Sequence, residues 1–231
     1  MNDKDFGFVE LVDRMLIDPA VKVVNTARVS FGKEQDGSIT EKDRRLIKFL
    51  WKNKHSSPFR HTYYSFKIKA PIFVLRQWQK HQVGCAWNEK SFRYVKAEDS
   101  FHCPSRFREP PKGNIKQGSG ADIDSAAQEK AYKAYQFSVN MSFEIYKELI
   151  GLGVCREQAR AVLPLCTFTQ TTWTASLQAI IHFLNLRLAK DAQAEMRYYA
   201  EAIRETLEED PNLKLILEVC LESCKNETTD Y

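Results

Sequence analysis

Two stretches of this chain concentrate the side chains able to do chemistry. The first, RQWQKHQVGCAWNEKSFRY (residues 76–94), gathers Arg76, Lys80, His81, Lys90 and Arg93 around Gln77, Gln82, Asn88, Glu89 and Ser91. Cations, a hydroxyl and the backbone N–H groups of a turn together hold a phosphate through charge-assisted hydrogen bonds. Gly84 gives the chain freedom to turn just past His81. The same composition also describes a solvated helix end followed by a loop that binds nothing. Cys85 follows His81 by four residues and invites a nucleophile reading. An activated thiolate needs a base or a depressed pKa, and a single spacing is thin support for either. An inert packing cysteine is the expectation.

The second stretch is split. CREQARAVLPL (residues 155–165) places Arg156 and Arg160 four apart, on one face of a helix that ends before Pro164. In TWTASLQAIIHFLNLRLAKDAQAEMR (residues 172–197), Ser176, Ile180, Phe183 and Arg187 fall at helical spacing, so Arg187 shares a stripe with core-type residues. Burying a guanidinium is costly unless it is paired. Its partner is either a carboxylate such as Asp191 or a polar ligand, and spacing leaves both open. Gln178 and His182 lie four apart on a neighbouring face. The five histidines are scattered and none shows metal-ligand spacing, so no metal site is expected.

Elements must position these groups. Residues 21–29 are β-branched and read as a strand, and residues 41–54 as a helix with Leu46, Ile47, Leu50 and Trp51 at its spacing. TYYSFKIK (residues 62–69) alternates as a half-buried strand does, and Pro71 opens a helix to about Gln79. Residues 103–121, rich in Pro, Gly, Ser and Lys, read as a surface loop. Beyond it the pattern turns helical: Asp124 or Ser125 caps a helix to Ile150 that Gly151 and Gly153 stop, and a short helix precedes Pro164. Helices over 173–189, 192–207 and 212–224 follow. The expectation is one α+β domain over residues 1–231, with a mixed sheet in the N-terminal half and a helical C-terminal half.

Composition narrows the classes. At 231 residues and 43% hydrophobic, the chain has the material for one sizeable core. Its net charge of +4 is interspersed, which argues against a dedicated duplex-nucleic-acid binder. Six cysteines without a CxxC pair, behind an acidic start, point to free thiols in a reducing cytoplasm, or a host's cytoplasm for a viral chain. No apolar run approaches the ~18 residues of a membrane span.

Taken together, several blocks resemble the flavin-dependent thymidylate synthases of the ThyX type. They are HSSPFRH (residues 55–61), APIFVLRQWQKHQ and NEKSFRY, then ARAVLPL, HFLNLR and DAQAEMRYYA, with a weaker TARVSFGK near the start. The resemblance implies reductive methylation of dUMP to dTMP, with methylenetetrahydrofolate as carbon donor, NADPH as reductant and FAD as cofactor. It implies a homotetramer with shared active sites. Around dUMP it places Gln77, Lys80, Glu89, Lys90, Ser91, Phe92, Arg93, Arg160 and Arg187, the last as the catalytic residue favouring ionisation at N3 of the uracil. Along FAD it places Ser57, Lys80, His81, Gln82, Glu89, Ser176, Gln178 and His182, with His55 near folate and flavin. The chain departs from the commonest signature in three ways. Lys80-His81-Gln82 stands for Arg-His-Arg, one extra residue lies between His81 and Asn88, and His182 stands where Asn is usual. Lysine keeps the charge without the bidentate fork, and Gln82 loses it. The alternatives are a related pyrimidine modification such as hydroxymethylation, or a silent nucleotide-binding module.

Overall fold

The computed structural model describes residues 7–34, 37–112 and 118–225. Its centre is a four-stranded sheet in the order β1 (Phe8–Arg14), β2 (Tyr63–Pro71), β4 (Phe168–Ser176) and β3 (Cys85–Glu89). In β2 the expected alternation places Tyr64, Phe66, Ile68 and Ala70 on the buried face. Trp173 of β4 faces Phe66 on one side and Trp87 on the other. The α+β class holds, and within it the sheet is antiparallel at every pairing rather than mixed. Each connection between neighbouring strands returns the chain to the end of the sheet that it left, so no two neighbours run in the same direction.

Two expected elements are corrected. Residues 21–29 are mostly helix: α1 spans Pro19–Arg28. Pro19 sits at the first turn and the Asp18 carboxylate accepts from the N–H groups of Ala20 and Val21 at 2.9 Å. Ala20, Val23 and Val24 then share one buried face. The capping signal and the 3.6-residue period outweigh β-branched composition. The helix expected from Trp173 begins later, at Leu177, because residues up to Ser176 belong to β4. That Thr-rich run is an inner strand with partners on both sides, so the C-terminal half is not purely helical. β1 and β3 were not anticipated.

Other elements fall close to expectation: α2 (Glu41–Lys52), α3 (Ile72–Trp78) directly after Pro71, and α4 (Ser125–Gly151) capped by Asp124. A short α5 (Arg156–Ala159) runs into a 3-10 turn at Arg160–Val162. α7 (Ala194–Glu208) and α8 (Pro211–Lys225) close the chain. The loop around residues 103–121 is irregular, as expected, but anchored. His102 is buried, the Tyr135 hydroxyl donates to its carbonyl at 2.8 Å, and Arg108 pairs with the nearly buried Glu195. Residues 113–117 of that loop lie outside the described residues. Among the described residues no helix is long and apolar enough to cross a membrane.

The core is organised by α6 (Leu177–Arg187), in which Ile180, Ile181, Phe183 and Leu184 are fully buried. Phe183 stacks on Trp78 of α3 with ring centres 4.7 Å apart, and both meet Trp173 of β4, at 5.4 and 5.2 Å. Each such ring contributes roughly 1.5–3 kcal/mol of burial. The cluster clamps the ends of α3 and α6 to the same sheet, and His81 and Arg187 stand on those ends.

Candidate active site

Arg187 is the last residue of α6 and is partly buried. Its Nε donates to Nε2 of His81 at 3.0 Å, across 106 residues of sequence. A guanidinium has only N–H donors, so His81 Nε2 is the acceptor and its ring carries the proton on Nδ1. The ring packs edge-on against Phe183 at 5.2 Å. Burial, then the charge of Arg187, then that of His182 lower the His81 pKa to about 4, and the imidazole is neutral at ordinary pH. Burial also lowers the pKa of Arg187, which stays charged. Among the described residues no carboxylate forms an ion pair with it, Asp191 included. The two terminal nitrogens of this partly buried cation thus pair with no acid among the described residues. Nearby in sequence, Gln77 of α3 has a buried Oε1 with no hydrogen-bond partner, and Lys80 and Gln82 are exposed.

A second group surrounds the start of α6. The Ser176 hydroxyl caps the helix, accepting from the Ala179 N–H at 3.3 Å. Gln178 Nε2 lies 2.9 Å from Ser56 Oγ and 3.4 Å from His182 Nε2, while its Oε1 accepts from Arg60 Nε at 2.5 Å. His182 leans on Trp51 with ring centres 5.5 Å apart, and burial lowers its pKa. Ser57 opens a 3-10 turn beside it, and His55 stacks on Phe49 at 6.2 Å. Gly84 has φ +73°, and a Cβ there would meet Ser176 Oγ at 2.7 Å, so this turn needs glycine.

The third group is the turn after β3. The Lys90 N–H donates to the Gln170 carbonyl at 2.7 Å, and its Nζ pairs with Glu98 at 2.9 Å, which lowers the Glu98 pKa. Ser91 Oγ accepts from the Arg93 N–H at 3.3 Å. Arg93 pairs with Glu157 of α5 at 3.0 Å, and Arg156 donates to the Tyr94 carbonyl at 2.8 Å. Phe92 is buried, so this residue offers a ligand only its backbone. Glu89 is exposed and accepts from Gln79 at 3.1 Å; Arg160 is exposed in the turn after α5. Among the described residues, no hydrogen bond or ion pair joins this group to Arg187.

The expected residues therefore fall into an α3–α6 set and a β3-turn–α5 set. Arg60, Ser56, Trp51 and Glu157 were not singled out beforehand. HSSPFRH held the first two, and CREQARAVLPL held Glu157 beside Arg156. Cys85 is half-buried and burial raises its pKa, which makes it a poor thiolate. A cavity of about 510 Å³ between α4 and the residue-102 segment is lined by none of the expected residues.

The donor set suits FAD. Ser57, Lys80, Gln82, Gln178 and His182 offer a cation, a hydroxyl, amides and an imidazole, and Glu89 is the one acid in the expected set. The buried unpartnered Gln77 Oε1 suits an N–H donor on a ligand.

Fold and site together define an α+β protein with a partly buried arginine that is held by a histidine and paired with no carboxylate among the described residues. The family model described as thymidylate synthase complementing protein matches residues 10–211. The chain is 42% identical over 197 residues to the flavin-dependent thymidylate synthase of Thermosipho africanus, covering 85% of this chain and 83% of that protein. It is 42% identical over 206 residues to the enzyme so named from Thermus thermophilus, covering 89% and 73%. Among solved structures, the UMP/dUMP methylase PolB from Streptomyces cacaoi bound with 5-Br dUMP superposes with a TM-score of 0.81 at 28% identity, covering 96% of each chain. The chain belongs to the flavin-dependent thymidylate synthase family.

Proposed function

We propose that the chain reductively methylates dUMP to dTMP, with FAD as cofactor, methylenetetrahydrofolate as carbon donor and NADPH as reductant. The observation that carries this reading is Arg187: a partly buried guanidinium held by a neutral imidazole and opposed by no carboxylate among the described residues. Such a cation stabilises negative charge developing on a pyrimidine ring, and ionisation at N3 is where that charge arises. Arg93, Ser91 and the backbone of the turn after β3, together with Arg160, supply the donors a nucleotide phosphate takes. FAD, when bound, supplies the hydride transfer that no side chain provides. Ser57, Gln178 and His182 would hold it beside α6, with His55 next to the folate.

The reading includes a homotetramer with shared sites, in one domain per chain, working in the cytoplasm. Two features support sharing. Among the described residues no hydrogen bond or ion pair joins His81 or Arg187 to Ser91, Arg93 or Arg160, and α4 exposes Phe137, Met141 and Ile145 along one stripe.

The test is direct. The purified protein should be yellow, its flavin band should bleach with NADPH, and methylenetetrahydrofolate plus dUMP should restore the band and yield dTMP by mass. A colourless protein that takes up no FAD sinks the reading. A product heavier by a hydroxymethyl group would replace it with hydroxymethylation. Light scattering should give four chains per particle, and a monomer that remains active would rule out shared sites.

A further inference from the structure

The pairing of Arg187 with a histidine instead of an acid has a consequence for how the site is built. A carboxylate beside Arg187 would orient it well, by charge-assisted hydrogen bonds, and would also cancel its charge. A neutral acceptor orients it and leaves the charge in place. His81 meets that description: its Nε2 takes the Nε hydrogen at 3.0 Å, and Phe183 fixes the ring from the side at 5.2 Å. Phe183 is itself fully buried and stacked on Trp78. The chain of contacts therefore runs from the immobile aromatic core, through one imidazole, to the guanidinium. With Nε occupied, Nη1 and Nη2 form the fork that remains for a ligand.

We propose that His81 is a positioning residue for Arg187: it aims the guanidinium as an uncharged acceptor, leaving both terminal nitrogens and the full positive charge to the pyrimidine. This rests on the nucleotide reading above and assigns His81 a task beyond lying along the cofactor. The charged and titratable neighbours acting on the imidazole are Arg187 and His182, and both oppose its protonation. The arrangement therefore keeps its uncharged form throughout the neutral range.

Three substitutions separate orientation from charge. His81→Gln keeps an uncharged acceptor, His81→Glu keeps an acceptor but adds a negative charge, and His81→Leu removes the acceptor. The probe is 5-fluoro-dUMP bound to the FAD-loaded protein, with its fluorine resonance followed against pH to report ionisation at N3. The native protein and His81→Gln should ionise the bound probe at lower pH than the free nucleotide. His81→Leu and His81→Glu should move that transition back up by about one pH unit or more, with flavin content unchanged. A His81→Leu protein that titrates with the native one overturns the proposal. Loss of flavin from both His81→Gln and His81→Leu also overturns it, by making His81 a cofactor ligand first. A native protein that binds no probe at all, while holding FAD, fails at the earlier step and removes the nucleotide reading itself.

Discussion

Arg187 and Arg93 are both arginines expected at the nucleotide, and the protein treats them in opposite ways. Arg187 sits at the end of an apolar helix, half-buried, against a neutral histidine. Arg93 sits on an exposed turn, its side chain 49% accessible, against the 62% accessible carboxylate of Glu157. The first arrangement costs desolvation and yields a fixed, unquenched charge. The second costs little and yields little, since exposed ion pairs contribute about 0–1 kcal/mol. A charge that must act on a transition state is worth fixing in advance. A charge that meets an incoming phosphate can wait in a weak pair and exchange partners. On the proposed reading, the difference separates a catalytic arginine from a binding one.

The hardest test of that distinction removes Arg187. Arg187→Ala should lower kcat by about 100–1,000-fold, the scale seen when one preorganised donor to a developing charge is lost. FAD content, read from the flavin band, should stay within the native range. Comparable turnover in the variant would erase the contrast. Arg93→Ala should act chiefly on KM for dUMP, raising it about tenfold, as expected for a lost hydrogen bond to a charged group, with kcat changed far less. A kcat loss matching that of Arg187→Ala would show that the exposed arginine also acts on the transition state.

A smaller effect comes from His81 and concerns stability. Unfolded, the imidazole takes up a proton near pH 6.5; folded, it resists protonation to about pH 4. Acidification through that window therefore favours the unfolded state, and stability present above pH 6.5 is lost as pH falls towards 4. The ring is partly exposed, so solvent screening reduces the effect to on the order of 1 kcal/mol. Melting temperature should fall by a few degrees across the window in the native protein. The slope should be shallower in His81→Gln, and equal slopes would mean that other groups set the acid limb.

How much of this was legible beforehand depended on distance along the chain. The alternation of Tyr64, Phe66 and Ile68 and the Asp124 cap of α4 are local signals, and both fell where the sequence put them. β4 was hidden because TTWTAS runs straight into the apolar LQAII of α6, and only pairing with β2 and β3 decides where strand becomes helix. α1 was misread because valines favour strands in composition while their spacing here favours a helix. Arg187 was picked out by its place on a buried stripe, but its partner was not: Asp191 is local, whereas His81 lies 106 residues away. Long-range contacts set the electrostatics of the site, and no window of sequence contains them.

The finest test acts on Glu157, the partner that Arg93 holds at 3.0 Å. If the pair is a resting contact, a nucleotide phosphate competes with Glu157 for the same guanidinium. Glu157→Gln keeps the shape and removes the competing charge. KM for dUMP should then fall, by no more than about threefold, because an exposed pair is worth about 0–1 kcal/mol. The effect should shrink with added salt, since screening weakens the pair before the substitution does. If Glu157 instead holds Arg93 in the shape the phosphate needs, the same substitution raises KM, and salt adds to the loss. The sign of a small change in KM thus decides whether α5 restrains the binding arginine or prepares it. Were α5 to prepare it, Arg93 would be preorganised as Arg187 is, and the two arginines would differ in burial and in the charge of the partner.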